Sequence, residues 1–194
     1  MKIGFQGDLF SNSEEAALKF SKIHKIKTPC FIPLISSRMV VTALLNKEID
    51  YGVLALENKI AGPVQETLNA LSNKIKMIDT LTLPIHHSLF IKNKDSKINS
   101  ITSHIQALKQ TVKYRKEKFP DIKELEAEDT ALAAKKLSTG QYPENYAVIC
   151  RKNAGEFYHL YLIDENIEDD KTNETLFGLF QLNEWQNMCI IIYF

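Results

Sequence analysis

Four short segments of this 194-residue chain are rich in side chains that carry hydroxyl, amide, imidazole or carboxylate groups. They are residues 5–13 (F-Q-G-D-L-F-S-N-S), 57–59 (E-N-K), 103–108 (S-H-I-Q-A-L) and 173–177 (N-E-T-L-F). Side chains of these types donate and accept hydrogen bonds, and some of them can exchange a proton with a bound molecule. The segments are therefore the candidates for a site that binds a small polar ligand.

The charge balance limits what that ligand can be. Lys plus Arg and Asp plus Glu both number 24, so the formal net charge is zero. A neutral chain has no basic surface for nucleic acid or for an anionic membrane, and we predict neither as a partner. An anionic ligand must be held by a few placed cations. The three arginines, Arg38, Arg115 and Arg151, are all predicted to be exposed and are individually poor candidates.

The elements that must position these segments alternate between short apolar runs and amphipathic runs, which predicts an α/β fold with a mostly parallel sheet. Strands are predicted over 2–5, 31–34, 51–56, 81–91, 101–103, 124–126, 147–150 and 176–182. Helices are predicted over 14–22, near 39–44, after Gly62-Pro63, over 104–118 and over 130–137. Ligands of open α/β sheets bind outside the carboxyl ends of strands, where the four segments fall.

Each candidate residue also has an ordinary structural interpretation. Gln106 follows Ser103 by three residues, so the pair could be a helix capping box. Thr175 could be a strand threonine, and Asn58 could form only a turn. His104 could contact a ligand or merely pack at the start of a helix.

Two further groups of polar residues are predicted to be structural. His86 and His87 are neighbours in an apolar run, so we expect one in the core and one on the surface. Residues 168–170 (E-D-D) are predicted to be a solvated loop, and no metal site is expected there.

In order and spacing, the four segments resemble the prephenate dehydratase family. That family carries an F-Q-G-x-x-x-x-N-S loop, an E-N-S turn followed by a glycine, an S-H-P-Q-A-L helix start and an N-x-T-R-F strand. The match runs over about residues 2 to 182. Four motifs in family order are far more specific than any one of them.

The resemblance implies a two-lobed α/β fold like type II periplasmic-binding proteins, with the active site in an inter-lobe cleft. We expect residues 1–78 and 166–194 in the first lobe and 79–165 in the second. The implied reaction converts prephenate to phenylpyruvate, water and carbon dioxide in phenylalanine biosynthesis, with no cofactor or metal. Formation of an aromatic ring drives it, so the protein need only orient the ring, assist the departing hydroxyl and hold two carboxylates.

The resemblance also implies a set of site residues. Those expected to be catalytic are Thr175, Gln106 and Asn58, with Glu57 supporting them. Those expected to bind substrate are Ser11, Asn12, Ser13, Lys59, Ser103, His104 and Phe177.

Three positions depart from the family pattern: Leu176 replaces the arginine of T-R-F, Lys59 replaces a serine, and Ile105 replaces a proline. Lys59 could take over part of the role of the missing arginine, although an ammonium cannot grip a carboxylate in two places. The loss at Leu176 keeps two alternatives open. One is a prephenate decarboxylase that retains the ring hydroxyl, and the other is a binding module without catalysis.

The remaining expectations concern location and assembly. Three widely spaced cysteines and an N-terminus without a long apolar run predict a cytoplasmic protein. The sequence ends at Phe194, before the regulatory ACT domain that often follows in this family, so a stand-alone catalytic domain is expected. The apolar, β-prone residues 189–194 predict a homodimer or a larger assembly, because they would be a hazardous free edge.

Overall fold

The computed structural model describes residues 1–183. Its strands are β1 (Lys2–Gln6), β2 (Cys30–Leu34), β3 (Tyr51–Asn58), β4 (Gly62–Pro63), β5 (Ile75–Pro84), β6 (Ser88–Ile91), β7 (Ser100–Ser103), β8 (Lys123–Glu126), β9 (Tyr146–Cys150), β10 (Tyr161–Glu165) and β11 (Glu174–Leu182). Its helices are α1 (Asn12–Ile23), α2 (Ser37–Leu45), α3 (Gln65–Ala70), α4 (Ile105–Lys109), α5 (Val112–Lys118), α6 (Thr130–Ser138) and α7 (Lys152–Phe157). The tail on which the predicted self-association rests lies outside the described residues.

Unit 1 comprises Met1–Gly7, Ser13–Leu83 and the described residues from 175 onward. Its sheet has the order β2-β1-β3-β11-β5, with β4 paired to β3. Strand β1 runs parallel to β2 and β3, whereas β11 runs antiparallel to β3. Val53 packs in one core cluster and its neighbour Leu54 in another. Both faces of β3 are therefore covered, which explains its continuous apolar sequence.

Unit 2 comprises Asp8–Asn12 and Pro84–Glu174. Its sheet has the order β10-β6-β9-β7-β8, in which β7 is parallel to β8 and β9, and β6 is antiparallel to β9 and β10. Val148 and Ile149 pack in separate clusters, so this sheet too is covered on both faces. The prediction of an α/β fold with two sheet-bearing lobes is confirmed. The units divide after Leu83 and after Glu174, later in the chain than the sequence placed the division.

Three predicted elements were wrong in detail. A helix does follow Gly62–Pro63, but it is α3 and begins only at Gln65. Gly62–Pro63 itself forms strand β4 against β3, because Val64 N donates to the Leu56 carbonyl and holds this segment as a hairpin. The glycine takes a positive φ of 78° that other residues avoid. The single helix expected over 104–118 is two helices, divided at Thr111. The strand expected over 81–91 is interrupted between β5 and β6, where the chain enters unit 2.

Arg115 was predicted to be exposed but is buried in unit 2. Its guanidinium contacts the Thr111 hydroxyl, the Leu108 carbonyl and the Glu124 carboxylate. These contacts join α5 to the end of α4 and to β8. Arg115 is therefore committed to holding unit 2 together.

The loop at residues 168–170, which was predicted to be solvated, is also bound to the rest of unit 2 by hydrogen bonds. Glu168 is only 2% exposed, and its carboxylate accepts hydrogen bonds from the His86 ring and from the His87 backbone amide. Asp169 accepts from the backbone amides of Lys113 and Tyr114 at the start of α5. As expected, His87 is buried while His86 is exposed at its side chain.

Burial and hydrogen bonding lower the pKa of His87 and of Glu168, which makes unit 2 sensitive to acid. Desolvation lowers the pKa of His87 from its ordinary 6.5, although its hydrogen bond to Gln110 opposes the shift. Burial alone would raise the pKa of Glu168, but hydrogen bonds from His86 and His87 bring it below its ordinary 4.5. In both cases the unfolded chain binds the proton at a higher pH than the folded chain does. Acid therefore favours unfolding.

We predict that the free energy of unfolding falls as pH drops below 6.5, through His87, and falls again below 4.5, through Glu168. Glu168→Gln should remove the second fall and cost about 1–3 kcal/mol at pH 7, because one of the two accepting oxygens is replaced by an NH₂ group that cannot accept. Denaturant titrations from pH 7 to pH 3.5 measure both effects. Glu165→Gln, which breaks an exposed ion pair with Lys152, is the control and should change stability by less than about 1 kcal/mol. Equal losses in the two variants would contradict this assignment.

Candidate active site

The centre of the polar cluster in unit 1 is a hydrogen bond between the side chains of Asn58 and Thr175. Strand β11 pairs with β3 so that Thr175 lies opposite Asn58. Asn58 Nδ2 donates to Thr175 Oγ1 over 2.9 Å, and both side chains are buried. The pair is formed by residues 117 apart in the chain, so only sheet pairing brings them together.

The orientation of the Asn58 amide is fixed by its surroundings. Its Oδ1 accepts hydrogen bonds from Ile60 N at 3.1 Å and from Ala61 N at 2.9 Å. The NH₂ end must therefore face Thr175, whose hydroxyl oxygen accepts the bond. A hydroxyl that accepts from a neighbour keeps its own hydrogen for another acceptor. The Asn58–Thr175 pair thus makes Thr175 a directed hydrogen-bond donor.

The other candidates in unit 1 are arranged less favourably. Glu57 precedes Asn58 on the strand, is exposed, and projects to the opposite face of the sheet. The structure does not bring its carboxylate to the Asn58–Thr175 pair. Lys59 is exposed in the turn between β3 and β4. Phe177 is 1% exposed and packs with Phe5, so it belongs to the core of unit 1, and its contact with substrate stays a prediction.

A second polar cluster in unit 1 was missed from the sequence. The Glu66 carboxylate accepts from Gln6 Nε2 at 2.9 Å and from Ser37 N at 2.8 Å, at the first turn of α2. The hydroxyls of Ser37 and Thr67 are completely buried and lie 2.9 Å apart. Gln6 was inside a recognised motif, but nothing in the spacing pointed to Glu66. Its carboxylate already occupies the N-terminus of α2, where an anion is favoured.

In unit 2, the motif residues cluster where β7 ends and α4 begins. Ser103 is completely buried and its hydroxyl donates to the Ile149 carbonyl, so this side chain has a structural role, and its contact with substrate stays a prediction. His104, not Ser103, caps α4: its Nδ1 accepts from Gln106 N at 3.2 Å. The capping-box interpretation of Gln106 therefore fails. Because Nδ1 accepts, the neutral ring of His104 carries its proton on Nε2. The Gln106 side chain is exposed.

The loop after β1 also belongs to unit 2. Arg151 Nη1 donates to the Ser11 carbonyl at 2.9 Å, and the Phe10 ring lies 4.3 Å from that of Phe157. Asn12 and Ser13 form the first turn of α1, which starts earlier than predicted, and Ser13 is buried. Among the predicted site residues, Asn58 and Thr175 thus form a pair in unit 1, and His104 and Gln106 lie together at the start of α4 in unit 2. Ser11 lies in a loop of unit 2 that Arg151 contacts.

Together, these features define an α/β protein with two sheets and with amide, hydroxyl and imidazole donors at strand ends. A family model described as prephenate dehydratase matches residues 3–184. The chain belongs to the prephenate dehydratase family.

Individual relatives and solved structures agree with this assignment. The prephenate dehydratase of Methanocaldococcus jannaschii is 40% identical over 130 residues, covering 66% of this chain and 46% of the relative. That of Bacillus subtilis is 30% identical over 151 residues, covering 74% and 52%. The chain thus spans about half the length of these relatives. The Arthrobacter aurescens prephenate dehydratase in complex with L-Phe shares the fold, with a TM-score of 0.83 at 22% identity over 94% of this chain and 61% of that one. The Staphylococcus aureus enzyme has a TM-score of 0.74 at 22% identity, covering 93% and 66%.

No helix within residues 1–183 combines the length and the apolar character that crossing a bilayer requires.

We predict that Asn58→Ala destabilises the chain by about 1–3 kcal/mol, because two turn amides and the Thr175 hydroxyl lose their partner. Asn58→Asp keeps an oxygen for Ile60 N and Ala61 N and should cost much less. Thermal and denaturant unfolding measure the difference. Asn69→Ala, on the exposed face of α3, is the control for removing an asparagine side chain. If Asn58→Ala matched this control, the turn would not depend on Asn58.

Proposed function

We propose that this chain catalyses the conversion of prephenate to phenylpyruvate, water and carbon dioxide. The observation that carries the proposal is the oriented Asn58–Thr175 pair, which supplies a hydroxyl donor at the end of two paired strands. Relatives named prephenate dehydratase support the choice of substrate. The place of this reaction is phenylalanine biosynthesis.

The proposed reaction requires modest help from the protein. The bond between the ring and its carboxylate breaks, and its electron pair enters the ring as carbon dioxide leaves. The bond to the ring hydroxyl breaks, and the departing oxygen takes a proton to become water. Both changes create the aromatic ring of phenylpyruvate. The protein must hold the ring in position and stabilise the negative charge that develops on the departing oxygen.

Thr175 is the residue we assign to the departing hydroxyl. Its Oγ accepts from Asn58 Nδ2, so its O–H can donate to the leaving oxygen. A threonine hydroxyl is a weak acid, so it acts by hydrogen bonding more than by releasing its proton. Gln106 is assigned to assist, and His104 presents an Nε2–H donor on the same turn. Backbone amides of residues 12–13 and 104–105 are assigned to the carboxylates, because the amides of Ser11 and Gln106 already donate to Asp8 and His104.

A decarboxylase that keeps the ring hydroxyl is the second candidate, because Leu176 stands beside Thr175 where the family motif has arginine. The two functions are separated by their products. Phenylpyruvate is aromatic and has a characteristic ultraviolet absorbance, whereas the decarboxylase product is a non-aromatic keto acid. The donor geometry of Thr175 favours the dehydratase, which needs help at the hydroxyl.

We also propose a cytoplasmic, self-associating enzyme. Cys30 and Cys150 are free thiols, as expected in a reducing compartment. Desolvation raises the pKa of the buried Cys150 thiol, which makes this residue chemically inert. The homodimer or larger assembly remains a prediction from the apolar tail.

We predict that Thr175→Ala lowers kcat for phenylpyruvate formation by about 10²-fold or more, because a donor to the transition state is lost. Thr175→Ser keeps the hydroxyl and should retain most of the activity. Stopped assays of phenylpyruvate absorbance, with unfolding curves for each variant, measure the effect. Thr80→Ala makes the same truncation at an exposed position of β5 and is the control. Near-normal turnover by a folded Thr175→Ala variant would remove Thr175 from the mechanism.

Asn58→Asp tests the direction of the Thr175 hydroxyl. A carboxylate can only accept, so the Thr175 proton should turn towards the new carboxylate and be lost to the substrate. We expect kcat to fall by about 10²-fold while the fold is retained. Asn69→Asp adds the same charge at an exposed position and should leave kcat unchanged. A fully active Asn58→Asp variant would show that the orientation of the hydroxyl does not matter.

A further inference from the structure

The position of Arg151 gives this arginine a use that the sequence pattern did not suggest. Strand β9 ends at Cys150 and runs parallel to β7, with Thr102 opposite Val148. Continued from that register, Arg151 lies at the same edge of the unit 2 sheet as His104. The carboxyl ends of neighbouring parallel strands are where α/β proteins bind ligands. Arg151 therefore stands beside the motif residues of unit 2.

The other two arginines are poorly placed to bind an anion. The Arg115 guanidinium is buried against Thr111 and Glu124 and serves the packing of unit 2. Arg38 is exposed in the first turn of α2, but the Glu66 carboxylate already binds the first amide of that turn. A second anion there would be repelled by the first. Arg151 is the third arginine, and it directly follows the end of β9.

Arg151 is also held in a defined position. It is partly buried, and its Nη1 donates to the Ser11 carbonyl, in the loop that matches the first family motif. The same loop is packed by the Phe10 ring against Phe157 and Tyr158. A guanidinium fixed in this way presents its charge at a constant place, which a flexible exposed side chain does not.

We propose that Arg151 binds a carboxylate of the substrate through its guanidinium. The inference rests on the proposed function for the identity of that substrate, prephenate. Arginine suits the task because its planar fork binds a carboxylate through two parallel hydrogen bonds. Lys59, in the exposed β3–β4 turn, has only a point charge on a flexible stem.

The test compares wild-type protein with Arg151→Gln and Arg151→Lys by calorimetric titration with prephenate, beside assays of phenylpyruvate formation. Arg151→Gln should raise the Kd for prephenate about 10- to 100-fold, the effect of losing charged hydrogen bonds. Arg151→Lys keeps the charge and should raise the Kd less than Arg151→Gln does, because only the paired hydrogen bonds of the guanidinium are lost. Arg38→Gln removes an exposed guanidinium from unit 1 and should leave the Kd unchanged.

Three results would overturn the role of Arg151. They are wild-type affinity in Arg151→Gln, equal losses in the Gln and Lys variants, and an equal loss in Arg38→Gln. Glutamine and lysine can both donate to the Ser11 carbonyl, but only lysine is charged. Equal losses of affinity in the two variants would therefore mean that the charge at position 151 does not bind the substrate. If Arg151→Gln also lowers the unfolding temperature, its loss of affinity cannot be separated from a loss of stability, and the Arg151→Lys variant is compared with wild type. Wild-type affinity in Arg151→Lys would contradict binding of the carboxylate through two hydrogen bonds of the guanidinium.

The same titrations separate this inference from the proposed function. If wild-type protein makes phenylpyruvate and Arg151→Gln binds prephenate normally, the function stands and the inference fails. If wild-type protein binds prephenate without turnover and Arg151→Gln weakens binding, the inference stands and the dehydratase proposal fails. If wild-type protein does not bind prephenate, both are wrong.

Discussion

The side-chain amide of Asn58 is the interaction on which the rest of unit 1's polar geometry depends. Its oxygen accepts the amides of Ile60 and Ala61, which closes the turn into β4, and its nitrogen reaches across to Thr175 on β11. Turn, strand pairing and hydroxyl direction are therefore set by one planar group. A buried amide left without partners would cost several times what each bond contributes, so these contacts form together.

In unit 2, the carboxylates of two neighbouring acidic residues accept backbone amides as the Asn58 side chain does in unit 1. Buried Glu168 binds the His86–His87 segment between β5 and β6, while the adjacent Asp169 binds the first turn of α5. Each unit thus uses a buried acceptor at a chain reversal to satisfy backbone amides that no regular element can pair. These acceptors hold the backbone segments that they contact in place. Packing of the apolar sheet faces alone would not fix those directions.

Much of the fold could be predicted from periodicity because both sheets are covered on both faces, which makes runs such as 51–56 continuously apolar. The predictions that failed did so at positions where a single hydrogen bond, which a sequence pattern does not show, sets the local structure. The Gly62–Pro63 segment carries the signals of a helix start, yet the bond from Val64 N to Leu56 makes it a hairpin. Similarly, Ser103 has the sequence of a cap, but its buried hydroxyl bonds Ile149. Glu66 and Arg151 could not be assigned because their partners are remote in sequence.

The distribution of charge within each unit bears on the proposed binding of an anion by a chain whose formal net charge is zero. In unit 1, the partial positive charge at the start of α2 is already satisfied internally by Glu66. In unit 2, the cap at the start of α4 is the imidazole of His104 and not a carboxylate. Arg151 adds a positive charge at the same edge of that sheet. The proposed binding of an anion is therefore assigned to the motif residues of unit 2, where a guanidinium and an imidazole stand at the ends of parallel strands.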